Sequence, residues 1–455
     1  MPYAWIKRLL PKVLMLFSLG CACFAYGLLA ARYNLFPYQV VRDAETAAIA
    51  LAQVAQPVKN SPVDAYARHV LVPTATSYDP AAGQEPLLVT GGAGHLTDYC
   101  ETGCLAWLMD RDGKILHTWK YDPTLWDDLQ QVTRLPGVSS KPYPVGIHLF
   151  DDGGLLVTYQ ELNTFPYAIG LARFDVNSNV LWKKELLAHH WFSVASDGRI
   201  FVPGMRVVDS PIPIAGSKAK IDSSSGKIYS DLVLILDPDG NVLDEISMLD
   251  AIFESGWGGL LTSPNEPCRS PGLYTDDPLH LNQAQLVGDQ VAKSQPWLSP
   301  YDLLVSFRNI NTVGILDTTS RRFKWLSCGA ATGQHSPKFY DDGVLILDNL
   351  GGDKESGGTR LVKVGLGREL PVTVFPRPGV PMPDQCCVLT GGHLDVSHDG
   401  SRVLMATSGV GTVWEIDPHT GKVLWEYIYV HPNGDGSRQA ISTAKYVYTP
   451  SFLPS

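Results

Sequence analysis

The chain has 455 residues, 45% hydrophobic and only 18% charged, with a formal net charge of -10. That balance excludes nucleic acid as the partner, because phosphate backbones are held by clustered Lys and Arg and no such cluster is present, though a local cationic pocket for a small anion stays compatible with it. With 42 Gly, 33 Pro, 19 Tyr and 11 Trp, the composition is that of a large β protein, rich in turn formers and in side chains that suit pleated surfaces.

The first element is apolar. Val13 to Ala31 is a 19-residue uncharged stretch preceded by Lys7, Arg8 and Lys12. As a helix it nearly spans a hydrocarbon core of roughly 30 Å, and its basic flank keeps the N-terminus cytoplasmic. The expectation is a signal-anchor helix over 1–36, single-pass in a bacterial inner membrane, with the remainder in the periplasm. Cys23-Phe24-Ala25 leaves a cleaved signal peptide open as the alternative, and Ser18-Leu19-Gly20-Cys21 is a poor lipidation signal. Pro37 is placed to open a short amphipathic stalk helix, and 37–64 reads as stalk and linker.

Six cysteines follow the anchor: Cys100, Cys104, Cys268, Cys328, Cys386 and Cys387. In an oxidising compartment an even number suits pairing. Cys100 and Cys104 are the preferred pair, closing a short loop, and the connectivity of the others is not legible.

From residue 65 to 455 one pattern recurs: an aliphatic strand ending in a turn, usually with Asp, then a second strand that often reaches Trp. Its six copies are Leu105–Lys120, Ile169–Lys184, Leu232–Ile246, Val313–Trp325, the weak Thr359–Val374, and Val413–Tyr427. A second hairpin, such as that around Asp197-Gly198 or Asp342-Gly343, precedes most of them. Two hairpins per unit make a four-stranded blade, so the fold class is an all-β, six-bladed β-propeller. The largest insertion is expected from Glu254 to Pro278. A β-helix or paired sandwiches are the alternatives.

Within that frame His190 and His335 each stand eight residues before a turn glycine, Gly198 and Gly343, which places them on the innermost strands. His393 lies seven residues before Gly400, and His280 precedes the strand Leu303 to Phe307 through a longer loop. Equivalent blade positions converge on the axis, so residues far apart in sequence meet there. Arg308 ends an apolar inner strand, and its planar fork of donors beside several imidazoles makes an oxyanion site. A structural salt bridge is the other reading of Arg308.

The motifs Leu279-His280-Leu281-Asn282, Ser306-Phe307-Arg308-Asn309, Gly333-Gln334-His335-Ser336 leading to Leu347-Asp348-Asn349, and the pair His189-His190 together resemble those of the bacterial arylsulfotransferase family, over roughly Leu87 to the C-terminus. The resemblance implies transfer of a sulfuryl group from a small aromatic sulfate donor to a phenol acceptor, with no nucleotide donor, cofactor or metal. It implies His335 as the transiently sulfated nucleophile and His280 as acid and base. Asn282, Arg308 and His190 would hold the sulfuryl oxygens. Trp191, Phe307 and Tyr340 are candidates to stack on the aryl ring, and His393 stands where the family places a small hydroxyl residue. Two departures affect ring orientation: Trp191 follows the His pair where an acid is usual, and Ser336 follows His335 where Asp is common.

Two other readings remain open at this point. One is a noncatalytic propeller presenting loops to an envelope partner. The other is a hydrolase with a cation on His190, His280 and His335, against which stand the charge of Arg308 and the want of a companion acidic residue in the motifs. The oligomeric state is not legible, and a homodimer is compatible with everything above.

Overall fold

The structure is a computed structural model that describes residues 4–33, 35–38, 40, 70–134, 141–262, 272–367, 369–384, 386, 388–431, 436–448 and 450–453. Most of the expected stalk, with Cys268 and Cys387, lies outside the described residues. The chain divides into two compact units, Met1–Ala65 and Tyr66–Ser455.

The first unit contains the helix Ala4–Tyr33, with Pro11 inside it. Its 22-residue segment Leu9–Ala30 is long and apolar enough to cross a membrane, since at 1.5 Å per residue it extends about 33 Å. Its apolar side chains stay uncovered, Phe17 at 69% and Phe24 at 70% exposure, as a lipid-facing helix requires.

The second unit is a six-bladed propeller of antiparallel, mostly four-stranded sheets. Blades 2 to 5 are each continuous in sequence: Tyr143–Lys184, Ser193–Ser247, Leu281–Cys328 and His335–Phe375. Blade 6 runs His393–Ile428, and the strand Thr74–Ser77 adds a fifth, outermost strand by pairing with Lys422–Ile428. Blade 1 takes three strands from Leu87–Lys120 and its innermost strand from Ala444–Tyr446, which pairs with Leu87–Val89. The two ends of the chain therefore overlap across the ring closure, and closure removes free sheet edges from the axis.

The repeated motif forms the two outer strands of every blade. Its Asp works as a turn clamp: Asp110, Asp175, Asp237, Asp317 and Asp417 each accept backbone N–H bonds from residues two to four further on. Gly113, Gly240 and Gly421 supply the positive φ that such turns need. The blade 5 copy is weak in sequence because its hairpin has no such Asp; there the Glu369 carboxylate accepts from Gly367 N instead.

Each blade packs on two neighbours, so the middle strands are buried on both faces and read as unbroken apolar runs, as in Leu155–Gln160 and Gly343–Asp348. One hydrophobic cluster fills each of the six inter-blade gaps. At about 25 cal/mol per Å² of apolar area removed from water, these gaps are what holds the ring together.

The insertion after blade 3 contributes the helix Met248–Glu254, a short 3-10 turn at Gly258–Leu261 and the strand Gly272–Tyr274. That strand pairs in parallel with Lys220–Asp222, itself part of an arm built on the ten-residue strands Ile200–Asp209 and Lys227–Leu236. Cys100 and Cys104 form a disulfide on the entry to blade 1.

Candidate active site

The four predicted histidines occupy one depth. His280 immediately precedes the innermost strand Leu281–Leu286 of blade 4, His335 opens that of blade 5 and His393 that of blade 6. His190 stands just before Ser193–Val194 of blade 3. The backbone is bent at these points: His190 and His280 both have φ +55, Ser336 has φ +46, and register slips follow Leu281 and His335. A left-handed non-glycine residue costs of order 1–3 kcal/mol, and a bulge re-aims a side chain out of the strict in-out alternation of a strand. Together these features turn the imidazoles toward the axis.

There the rings meet. His190 and His280 are edge to face with centroids 5.1 Å apart, and Tyr167 stacks on His280 at 5.7 Å. Trp191 lies edge to face with His335 at 6.0 Å. His335 is almost fully buried, and its Nδ1 lies 2.8 Å from Asn349 Oδ1. The Asn349 amide is oriented by its other contacts, since Nδ2 donates to Val388 O at 2.8 Å and Gly391 O at 2.9 Å. Its Oδ1 must then accept, so His335 carries its proton on Nδ1 and presents the Nε2 lone pair. Burial pushes the His335 imidazole down to about 3, with the charges of His280 and Arg308 acting the same way. It is neutral throughout the physiological range.

His280 is arranged differently. It is half-buried, its Nδ1 lies 2.5 Å from Asp277 Oδ2, and its N–H donates to Asp277 Oδ1 at 3.1 Å. A carboxylate on Nδ1 fixes the tautomer and orientation of the ring. His190 Nδ1 receives Gln160 Nε2 at 3.0 Å and lies 2.7 Å from His189 Nδ1. With two donors aimed at Nδ1, His190 keeps its proton on Nε2 and is itself a donor. Behind it, His189 Nε2 is 3.9 Å from Asp231 Oδ1, and burial holds the Asp231 carboxyl well above the usual range.

Arg308 has no carboxylate partner among the described residues. Its Nη1 donates to Asn309 Oδ1 at 3.0 Å, and its buried Nε has no partner. Among the described residues Arg308 therefore makes no salt bridge, contrary to that reading of it. Asn282 donates from Nδ2 to Gln334 O at 2.8 Å, which leaves its buried Oδ1 unpaired.

Other predicted residues are placed elsewhere. Phe307 is fully buried in the gap between blades 3 and 4, edge-on to Phe323 at 5.9 Å, because it alternates away from the axis. Tyr340 sits at the far end of its strand beside His419. Trp191 is only 4% exposed and donates from Nε1 to Thr443 Oγ1 at 2.7 Å, so it acts as a floor beside the imidazoles rather than an open stacking face. His393 contacts that floor at 5.8 Å and lines a separate cavity beyond it. Ser336, where Asp is usual, accepts from Leu394 N and ties blade 5 to blade 6.

Sequence reasoning missed Asp277, Gln160 and Asp231, and left Asn349 without a role. Two of these had a signal: Asn349 ends a motif already singled out, and Asp277 stands three residues before His280. Asp277 corrects the statement that no acidic residue accompanies the histidines. Even with it, no group of three His, Cys, Asp or Glu side chains converges as a metal would require, among the described residues.

Residues 147–350 match the family model for arylsulfotransferase (ASST). No curated protein matches the chain. Among solved structures it is similar to a Bacteroides caccae protein of unknown function, at 13% identity over 80% of this chain and 99% of that one, with a TM-score of 0.44. A virginiamycin B lyase from Staphylococcus aureus matches at 11% identity over 67% and 75%, TM-score 0.32, and BamB from Moraxella catarrhalis at 12% over 79% and 75%, TM-score 0.29. The matched segment, a little under half of the chain, holds His190, His280, Arg308, His335 and Asn349, and over it the chain is similar to the arylsulfotransferase family.

Proposed function

We propose that the propeller transfers a sulfuryl group from an aryl sulfate to a phenol by a two-step, nucleotide-independent reaction through His335. The observation that carries this reading is the fixed amide of Asn349, which leaves His335 Nε2 unprotonated in a buried site. In the first step Nε2 attacks sulfur, the bond from sulfur to the aryl oxygen breaks, and the departing phenolate takes a proton from His280. In the second, the acceptor phenol returns a proton to His280 as its oxygen attacks sulfur. The N–S bond breaks and neutral His335 is regenerated. A neutral imidazole is a competent nucleophile whose N-sulfonate is labile enough to pass the group on.

Arg308 and the Nε2–H of His190 supply preorganised donors for the sulfuryl oxygens in a largely buried site. Asn282 has a second Nδ2 hydrogen, beyond the one given to Gln334 O, to donate to a sulfuryl oxygen. The basic flank Lys7, Arg8 and Lys12 supports a reading in which the N-terminal helix is an inner-membrane anchor and the propeller is periplasmic. Initial rates with 4-nitrophenyl sulfate and a phenol test this directly. Parallel double-reciprocal lines without added nucleotide are expected, and no turnover in His335→Asn. Intersecting lines, or activity retained in that variant, contradict it.

A further inference from the structure

Below the floor made by Trp191 the axial channel changes character. The next inward-facing position of the innermost strands contributes one polar side chain from each blade: Lys445, His148, Ser193, Gln285, Lys338 and Asp395. All six are half-buried and line one cavity of about 280 Å³, with Trp191 and His393 at its upper end. Neither His280, His335 nor Arg308 borders it. Gln285, Lys338, Asp395 and Lys445 also border a groove of about 760 Å³, which gives the ring an entrance independent of the imidazoles.

The charges in the ring are unmatched. Lys338 and Lys445 are close enough to repel, and neither ammonium has a hydrogen bond or ion pair among the described residues. Asp395 is the one carboxylate in the ring, and its Oδ2 is engaged by Tyr446 N at 2.9 Å. The ring of His148 has no hydrogen-bond partner among the described residues and lies edge to face with Phe150. Two ammonium groups held in one recess with Asp395 as their single carboxylate are costly, because desolvation and mutual repulsion disfavour their charged forms and Asp395 attracts both without forming an ion pair with either. Burial, then Lys445, push the Lys338 ammonium down to about 7.

We propose that this ring is a binding site for a small tetrahedral oxyanion, inorganic sulfate or phosphate. Donors arrive from blades on several sides of the axis: two ammonium groups, the Ser193 hydroxyl and the His148 imidazole. An ion with oxygens in all directions accepts from such a ring, whereas a carboxylate accepts in one plane. The site does not depend on the sulfuryl-transfer reading, since no residue of that chemistry borders it.

The test is isothermal titration of the detergent-solubilised full chain with sodium sulfate and, separately, sodium phosphate, at constant ionic strength set with chloride. Saturable binding of at least one ion at one site per chain is expected, and the comparison shows which of the two it prefers. Lys338→Met and Lys445→Met should each weaken it by about tenfold or more, as expected for one lost hydrogen bond to a charged group. His335→Asn should bind as the parent does. If a lysine variant fails to fold, Asp395→Asn keeps the test decisive, because removing the one carboxylate should tighten binding. No saturable heat with either ion, unchanged affinity in the lysine variants, or weaker binding in Asp395→Asn would overturn the proposal, and loss of binding in His335→Asn would assign the anion to the upper site instead.

Discussion

Replacing Asn349 by Ala isolates the contact on which the proposed nucleophile, His335, depends. The substitution removes the oxygen 2.8 Å from His335 Nδ1 and leaves that buried donor without its acceptor. An unsatisfied buried donor costs about 1–3 kcal/mol. The imidazole escapes that cost by moving its proton to Nε2, which extinguishes the lone pair proposed to attack sulfur. Either outcome raises the barrier by a comparable amount, so kcat should fall by about 5- to 150-fold, at about 1.4 kcal/mol per decade. KM for the donor should change little, because Asn349 does not face it. Stability should also drop by about 1–3 kcal/mol, since Val388 O and Gly391 O lose their donor. Steady-state release of 4-nitrophenolate, with denaturant midpoints as the fold control, reads both. A folded Asn349→Ala protein with kcat within about twofold of the parent would refute the tautomer argument, because a change of about 0.4 kcal/mol is smaller than any such cost.

Asp277→Asn keeps the shape at His280 and removes the carboxylate charge beside its Nδ1, so kcat should fall by tenfold or more on the order of a lost charged hydrogen bond, with a larger loss for donors whose phenolates are poor leaving groups. Equal losses for good and poor leaving groups would place Asp277 outside proton transfer. Stability should decline in acid through a defined window: His189 and His335 are depressed to about 3 in the folded chain, against about 6.5 unfolded. Below that upper value the unfolded chain binds protons that the folded chain refuses, so their contribution is complete above pH ~6.5 and is lost progressively toward pH ~3. Denaturant midpoints across this range check it, and His335→Asn should flatten the slope. Trp191→Ala should cost about 3–5 kcal/mol as a buried large-to-small change, whereas Trp191→Phe should recover most of that and leave only Thr443 without its donor; equal losses in the two variants would contradict a packing role.

The fold was legible because the repeat is written in the outer hairpins, where Asp and Gly carry turn geometry locally. The copy at Thr359–Val374 was faint for the same reason: its turn lacks the Asp. Ring closure by Ala444–Tyr446 was not legible, since a three-residue strand pairing with residues about 350 positions earlier leaves no periodic mark. The imidazoles were readable from equal distances to turn glycines. Their supporting residues were not, because Asn349 reaches His335 from the neighbouring strand and Gln160 reaches His190 from another blade. Phe307 illustrates the limit of motif reasoning: it stands between Ser306 and Arg308, yet strand alternation turns it into the inter-blade core.

Trapping the covalent intermediate tests the central claim most directly. The full chain, mixed with an aryl sulfate in the absence of acceptor, quenched and digested, should yield one sulfuryl adduct on the peptide containing His335. His335→Asn should yield none, and addition of a phenol before quenching should discharge it. Turnover in the parent without any adduct, or an adduct on another residue that phenol discharges at the turnover rate, would contradict His335 as the group that accepts the sulfuryl.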